Sequence, residues 1–265
     1  MLDGMSLGQY FPGNSALHRL DPRAKIALTV GLVVVVFLAK GYVSYALLFA
    51  GIVGCARIAG FGMRLLWKAI KPVVFIVLIT FVLNVLFAAN GNVIFSWLFF
   101  RVTDEGLMMA AYLAIRLVLL VLSTQLLTLT TSPIELTDGL EALMKPLSKI
   151  GFPAHELAMM MSIALRFIPT LLEEADKIMK AQMARGADFD SGNLFARAKA
   201  MVPLLVPLFV NAFRRADELA LAMEARCYRG GAHRTRMKIL KFHRVDAVAA
   251  ACMVALGVLV MVLPW

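Results

Sequence analysis

Apolar residues along this chain gather into long runs rather than into the alternations of a fold with one wet face. A bilayer-spanning helix needs about 20 predominantly apolar residues to cross roughly 30 Å of hydrocarbon. Five stretches meet that need, some only with their flanks: 26–39, 42–59, 72–89, 106–130 and 245–265. The first borrows from a polar entry, Leu17-His18-Arg19-Leu20-Asp21-Pro22-Arg23, and the second follows the break at Lys40-Gly41. The third ends at the turn signal Asn90-Gly91-Asn92. The run 93–100 is too short to span, which predicts an interfacial or re-entrant segment.

Between the fourth and fifth runs, over 132–244, the pattern changes to the helical period. Leu157, Met160, Ala164, Leu165, Ile168, Leu172, Ala175 and Met179 recur at three and four residues, one apolar stripe on a long helix that Pro169 should bend. A second helix over 194–226 repeats the stripe with Met201, Leu205, Leu208, Phe209, Ala212 and Phe213. A shorter amphipathic piece, 132–150, precedes them. Stripes this wide are most simply buried against each other and against the membrane interface. The predicted fold is an all-α integral membrane protein: five transmembrane helices and about three long amphipathic helices. The expected division is a four-span domain at 1–131, a cytoplasmic helical domain at 132–244, and a final span at 245–265.

Composition agrees, since 61% of residues are hydrophobic and only 17% charged, whereas soluble domains average roughly 25% charged. The formal charge of +10 reads first as topology. The segment 132–244 holds 17 of the 27 Lys and Arg residues. With the N-terminus in the cytoplasm of a plasma-membrane protein, 24 of the 27 fall on the cytoplasmic side. Lys40 and Arg101 then lie alone outside, and Arg116 within a span. Cytoplasmic loops collect basic residues, so this orientation is the expected one. A nucleic-acid partner would need a basic soluble face, and none is predicted. No basic patch ahead of an apolar core opens the chain, so the first span is expected to direct insertion.

Candidate chemistry is sparse. No G-x-x-x-x-G-K-[ST] loop occurs, so nucleotide phosphates are not cradled in the P-loop manner. His18, His155, His233 and His243 are far apart, and Cys55, Cys227 and Cys252 are too few and scattered for a disulfide framework or zinc site. No catalytic residue and no metal ligand is assigned. Glu173, Glu174, Asp176, Asp217 and Glu218 read as solvated charges on polar helix faces. Arg116, about ten residues inside an apolar run, is an intramembrane functional candidate or a side chain snorkelling to headgroups. Asn84, Ser123 and Gln125 do not extend it into a polar pathway, which disfavours a self-sufficient permease or channel. A membrane-embedded enzyme would need clustered acids, bases or metal ligands.

One motif occurs twice. The two long helices end as Ala181-Gln182-Met183-Ala184-Arg185-Gly186 and Ala222-Met223-Glu224-Ala225-Arg226-Cys227, sharing Ala-x-x-Ala-Arg. A single arginine there would simply favour the helix dipole ahead of a left-handed cap. Two copies point to docking plugs: a guanidinium forks into a carboxylate-lined groove, and the small residue before it lets a partner surface approach.

These residues carry a resemblance. Tyr10-Phe11-Pro12-Gly13-Asn14-Ser15 with His18-Arg19-Leu20-Asp21-Pro22-Arg23-Ala24-Lys25, then Leu165-Arg166-Phe167-Ile168-Pro169 leading to Ala184-Arg185-Gly186, then Met223-Glu224-Ala225-Arg226, resemble the T component of energy-coupling factor transporters over about 8–231. The resemblance implies a non-catalytic transmembrane scaffold without a cofactor of its own. It implies two cytoplasmic ABC-type ATPases holding ATP and Mg, and an exchangeable membrane-embedded S component that selects a vitamin or metal ion. The amphipathic helices would be coupling helices, packed through residues such as Leu165, Ile168, Pro169, Leu172, Leu205 and Phe209. Ala184, Arg185 and Gly186, and Ala225, Arg226 and Cys227, would dock the ATPases. Cys227 departs from the family pattern, which has glycine there.

Overall fold

The structure is a computed structural model that describes residues 10–87, 93–97, 100–187, 189, 193–230 and 240–262. In order, its elements are α1 (Pro22–Leu38), α2 (Tyr42–Ile58), α3 (Met63–Phe87), β1 (Val93–Trp97), β2 (Phe100–Thr103), α4 (Asp104–Thr130), α5 (Pro133–Met144), a 3-10 turn (Lys145–Ile150), α6 (Ala154–Ala184), α7 (Leu194–Ala225) and α8 (Arg244–Val262). The helices fall where the apolar runs put them, although α3 starts nine residues before its expected run and carries Pro72 within it. The described residues divide into two compact units, one of residues up to 142 together with 240–262 and one of residues 143–230. The last helix therefore belongs with the first four.

Among the described residues four helices are long and apolar enough to cross a membrane: α3 through Leu86, α4, α6 and α8. The chain is a multi-pass membrane protein. This set differs from the expected five in two respects. Helices α1 and α2 have 17 residues each, about 25 Å of rise and short of the hydrocarbon thickness without their flanks. Helix α6, expected outside the bilayer, qualifies by length and composition.

The helical expectation also omitted a hairpin. β1 and β2 pair antiparallel, Phe95 opposite Val102 and Trp97 opposite Phe100, with an irregularity between Val93 and Phe95. Val, Ile, Phe and Trp suit a pleated strand, and a run this short gains little as a helix. The predicted turn at Asn90-Gly91-Asn92 lies outside the described residues. After the hairpin, the Thr103 hydroxyl accepts the Gly106 N–H (3.2 Å) and starts α4, and Asp104 and Glu105 complement its dipole.

In the larger unit a polar cluster closes the helices at one end. Asp21 caps α1 by accepting the Arg23 N–H (2.9 Å), and Pro22 occupies the first turn, where no N–H is needed. Asp246 of α8 accepts the backbone N–H groups of Asp21 (2.8 Å) and His243 (2.6 Å). Lys25 reaches the carbonyl of His18 (3.1 Å) and that of Thr130 at the end of α4 (2.8 Å). Asp21, Lys25 and Asp246 are all buried. These residues explain the polar entry before α1: burial requires each of its groups to be met. Above the cluster the core is apolar, around Val36, Leu48, Leu119 and Leu122. Helices α1 and α8 approach closely at Gly31, where a Cβ would lie 2.1 Å from Cε of Met253. Ser44 donates to the Val260 carbonyl (3.3 Å), tying α2 to α8.

Candidate functional site: paired helix ends and an arginine between helices

The smaller unit is built on α6 and α7. Asn211 donates from Nδ2 to Oε1 of Glu174 (2.7 Å), and Arg215 places Nη2 3.6 Å from the other oxygen of the same carboxylate. Arg215 also stands over the Phe167 ring, 5.7 Å from its centroid. Partners run in reversed order, Phe167 with Arg215 and Glu174 with Asn211, so the helices are antiparallel. α6 is continuous across Pro169, and α7 across Pro203 and Pro207.

This cross-helix tie was not expected, since Glu174 had read as a solvated charge. The available signal was Asn211 itself, a polar residue at helical spacing within the apolar stripe of Leu204, Leu208 and Ala212. An amide there calls for a partner on the facing helix.

The stripes divide between two faces. Leu165, Ile168 and Leu172 are half-buried, as are Leu204, Leu208 and Ala212, while Pro169 is exposed. Leu205 (43% exposed) and Phe209 (60%) lie with Val206, Val210 and Phe213, also exposed, along one apolar side of α7. A stripe wider than one partner helix can cover leaves its flank open.

Both helix ends adopt one geometry. At the end of α6 the Gly186 N–H reaches the Met183 carbonyl (3.0 Å) and the Ala187 N–H reaches Gln182 (3.0 Å). At the end of α7 the Cys227 N–H reaches Glu224 (2.8 Å) and the Tyr228 N–H reaches Met223 (3.0 Å). Each is a Schellman closure, with the arginine as the last residue before a left-handed one. Gly186 has φ 89° and Cys227 φ 56°. The cysteine thus keeps the glycine's conformation, against a cost of about 1–2 kcal/mol for a residue with a Cβ. Ala184, Arg185, Ala225 and Arg226 are exposed. In an antiparallel pair the two arginines sit on opposite sides of the Glu174–Asn211 tie, about 16 Å from it along α6 and about 22 Å along α7.

Arg116 lies in the other unit and is only half-buried. Its Nη2 donates to Oη of Tyr45 (2.9 Å), one turn into α2, and its guanidinium stands 5.6 Å from the Phe37 ring centroid. The Tyr45 hydroxyl in turn donates to the Ala39 carbonyl (3.2 Å). Arg116 is therefore mid-run in sequence yet level with the Lys40-Gly41 turn in space, because α4 is ten residues longer than α1 or α2. Among the described residues no group of three or more His, Cys, Asp or Glu is placed to hold a metal ion.

Comparison with known proteins bears on the whole chain. The family model described as cobalt transport protein matches residues 13–238. The energy-coupling factor transporter transmembrane protein EcfT of Acidaminococcus fermentans is 56% identical over 265 residues, all of this chain and 98% of that one. EcfT of Thermosediminibacter oceani is 55% identical over 92% of each chain. EcfT of Bacillus subtilis is 51% identical over 98% of each.

Proposed function

The chain belongs to the energy-coupling factor transmembrane family, the T components, and from that premise we propose that it couples ATP hydrolysis by two cytoplasmic ABC-type ATPases to uptake through a separate S component. The observation that carries the reading is the duplicated helix end. Arg185 and Arg226 stand on identical Schellman closures, both exposed, on opposite sides of one tied helix pair. Two equivalent plugs suit two equivalent sockets, and a planar guanidinium suits a carboxylate-lined groove. The ATPases hold ATP and Mg, and the S component selects a vitamin or metal ion.

In this reading α1, α2, α3, α4 and α8 cross the membrane from a cytoplasmic N-terminus, and α6 and α7 are coupling helices along the cytoplasmic face. Arg166, Glu173, Glu174, Asp176, Lys177 and Lys180 on α6 support that placement, since a lipid-surrounded helix rarely carries so many charges. The outward face of α7 at Leu205 and Phe209 is then what the bilayer surface and the S component cover.

The test is retention of the ATPases on the affinity-purified chain. Arg185→Ala and Arg226→Ala each weaken retention and ATP-driven uptake while the protein stays in the membrane. Removing one member of a desolvated interfacial charge pair costs about 2–5 kcal/mol, roughly 30- to several-thousand-fold. Lys rescues neither site fully, because it lacks the fork. Undiminished retention of both ATPases by the double variant overturns the reading.

A further inference from the structure

The surroundings of Arg116 have no part in the coupling role. A cavity of about 420 Å³ opens beside it, lined by Lys40 and Gly41 of the first turn, Tyr45, Asn84, Met109, Tyr112 and Arg116. That is within the range of small-molecule sites. Two of the lining residues are cations, and none is a carboxylate. One donor of the Arg116 guanidinium is spent on Tyr45. Its Nε is buried and has no hydrogen-bond partner among the described residues. Asn84 turns its amide to the Thr80 carbonyl (2.8 Å) and adds no negative charge. Lys40 is exposed on its turn and Arg116 half-buried, and two cations facing one cavity with no acidic side chain in its lining attract an anion.

We propose that this cavity binds the phosphate headgroup of an anionic phospholipid, held between Arg116 and Lys40. Three observations select a lipid over a dissolved anion. Phe37 and Leu38 on α1 and Met108 and Met109 on α4 are exposed apolar side chains around the site. On membrane-spanning helices these meet acyl chains rather than water, so a tethered headgroup arrives with tails already placed. Arg116 is level with the end of α1, where headgroups lie, and not at the bilayer centre. The surplus of cations selects net negative charge: a choline or ethanolamine group would find no carboxylate here. Basic pockets between membrane helices hold anionic headgroups on the cytoplasmic side of other proteins, and the same chemistry serves the outer leaflet, where Lys40 lies in the expected orientation.

The experiment uses the delipidated full chain in detergent, titrated with phosphatidylglycerol or phosphatidylcholine, with bound lipid counted by native mass spectrometry. The wild type binds one phosphatidylglycerol with a preference of about tenfold or more over phosphatidylcholine. Lys40→Gln, a change on an exposed turn that folding tolerates, lowers the preference several-fold. Lys40→Gln with Arg116→Gln abolishes it, and Arg116→Lys retains part. Equal binding of the two lipids by the wild type overturns the proposal, as does an unchanged preference in Lys40→Gln. Displacement of the lipid by millimolar inorganic phosphate also overturns it, since the site would then take a free anion. Each of these results leaves ATPase retention, and with it the coupling role, untouched.

Discussion

Cys227 holds at the end of α7 the left-handed position that Gly186 holds at the end of α6, with the same pair of closing hydrogen bonds. The two ends therefore share a shape while differing in strain. Cys227→Gly relieves the Cβ clash, and part of that gain is offset by the greater freedom of glycine in the unfolded chain. The net effect is a stabilisation of about 1 kcal/mol or less, read as slower hydrogen exchange at the Tyr228 amide. Gly186→Ala works in the opposite sense and costs about 1 kcal/mol. No atom lies within 4 Å of a Cβ built at Gly186, so its cost is conformational and not steric. Faster exchange in Cys227→Gly would mean that the cysteine side chain itself holds the end.

The Glu174–Asn211 bond is the polar tie across the α6–α7 pair, with Arg215 beside it. A double-mutant cycle of Glu174→Ala and Asn211→Ala, read by denaturation of the purified chain, gives a coupling of about 1 kcal/mol, the scale of a partly screened hydrogen bond to a charged group. The coupling shrinks with added salt less than the Arg215 ion pair does, because the amide is neutral. Strict additivity of the two changes would show that the tie contributes nothing.

Asp246 is the buried acceptor that joins the start of α8 to the start of α1. Asp246→Ala strands the buried Asp21 N–H, at about 1–3 kcal/mol, and leaves the part-buried His243 N–H to water at a smaller cost. The thermal midpoint of the chain in detergent falls sharply, whereas Asp246→Asn, which keeps one acceptor oxygen, falls by about half as much. Equal midpoints for Asp246→Ala and the wild type would remove Asp246 from the set of anchors.

The orientation is tested by single cysteines in a background without Cys55, Cys227 and Cys252. Lys40→Cys in the first turn and Ala187→Cys after α6 label from opposite sides of the membrane with an impermeant maleimide. Labelling of both from the same side would overturn the topology and place the arginine ends away from the cytoplasm.

Apolar run length placed α1, α2, α4 and α8 to within a few residues but missed the first nine of α3, because hydrocarbon demands length and lets few polar groups interrupt it. The helix ends of α6 and α7 were readable as a repeat, since Ala-x-x-Ala-Arg is local and the closure is set by residues in sequence. What could not be read depends on a partner in space. Nothing near Glu174 announces Asn211, 37 residues away. Nothing near Arg116 announces Tyr45, 71 residues away. The division of the α7 stripe followed the same rule: the period puts Leu205 and Leu208 on one broad face, and only the position of α6 decides which of them is covered. The hairpin of β1 and β2 was legible only as a run too short to span.

The bond from Asp21 to Asp246 joins residues 225 apart in the chain. During synthesis at the membrane, the first helix must therefore wait, its capped end open and the small face at Gly31 uncovered, until nearly the whole protein has been made. A ribosome that stops before α8 leaves α1, α2 and α3 free to pack on α4, but with the Asp21 N–H and the face at Gly31 still unmet. The joint between α8 and α1 thus forms after the other helices are made, and a fragment ending before α8 leaves the Asp21 N–H without its carboxylate.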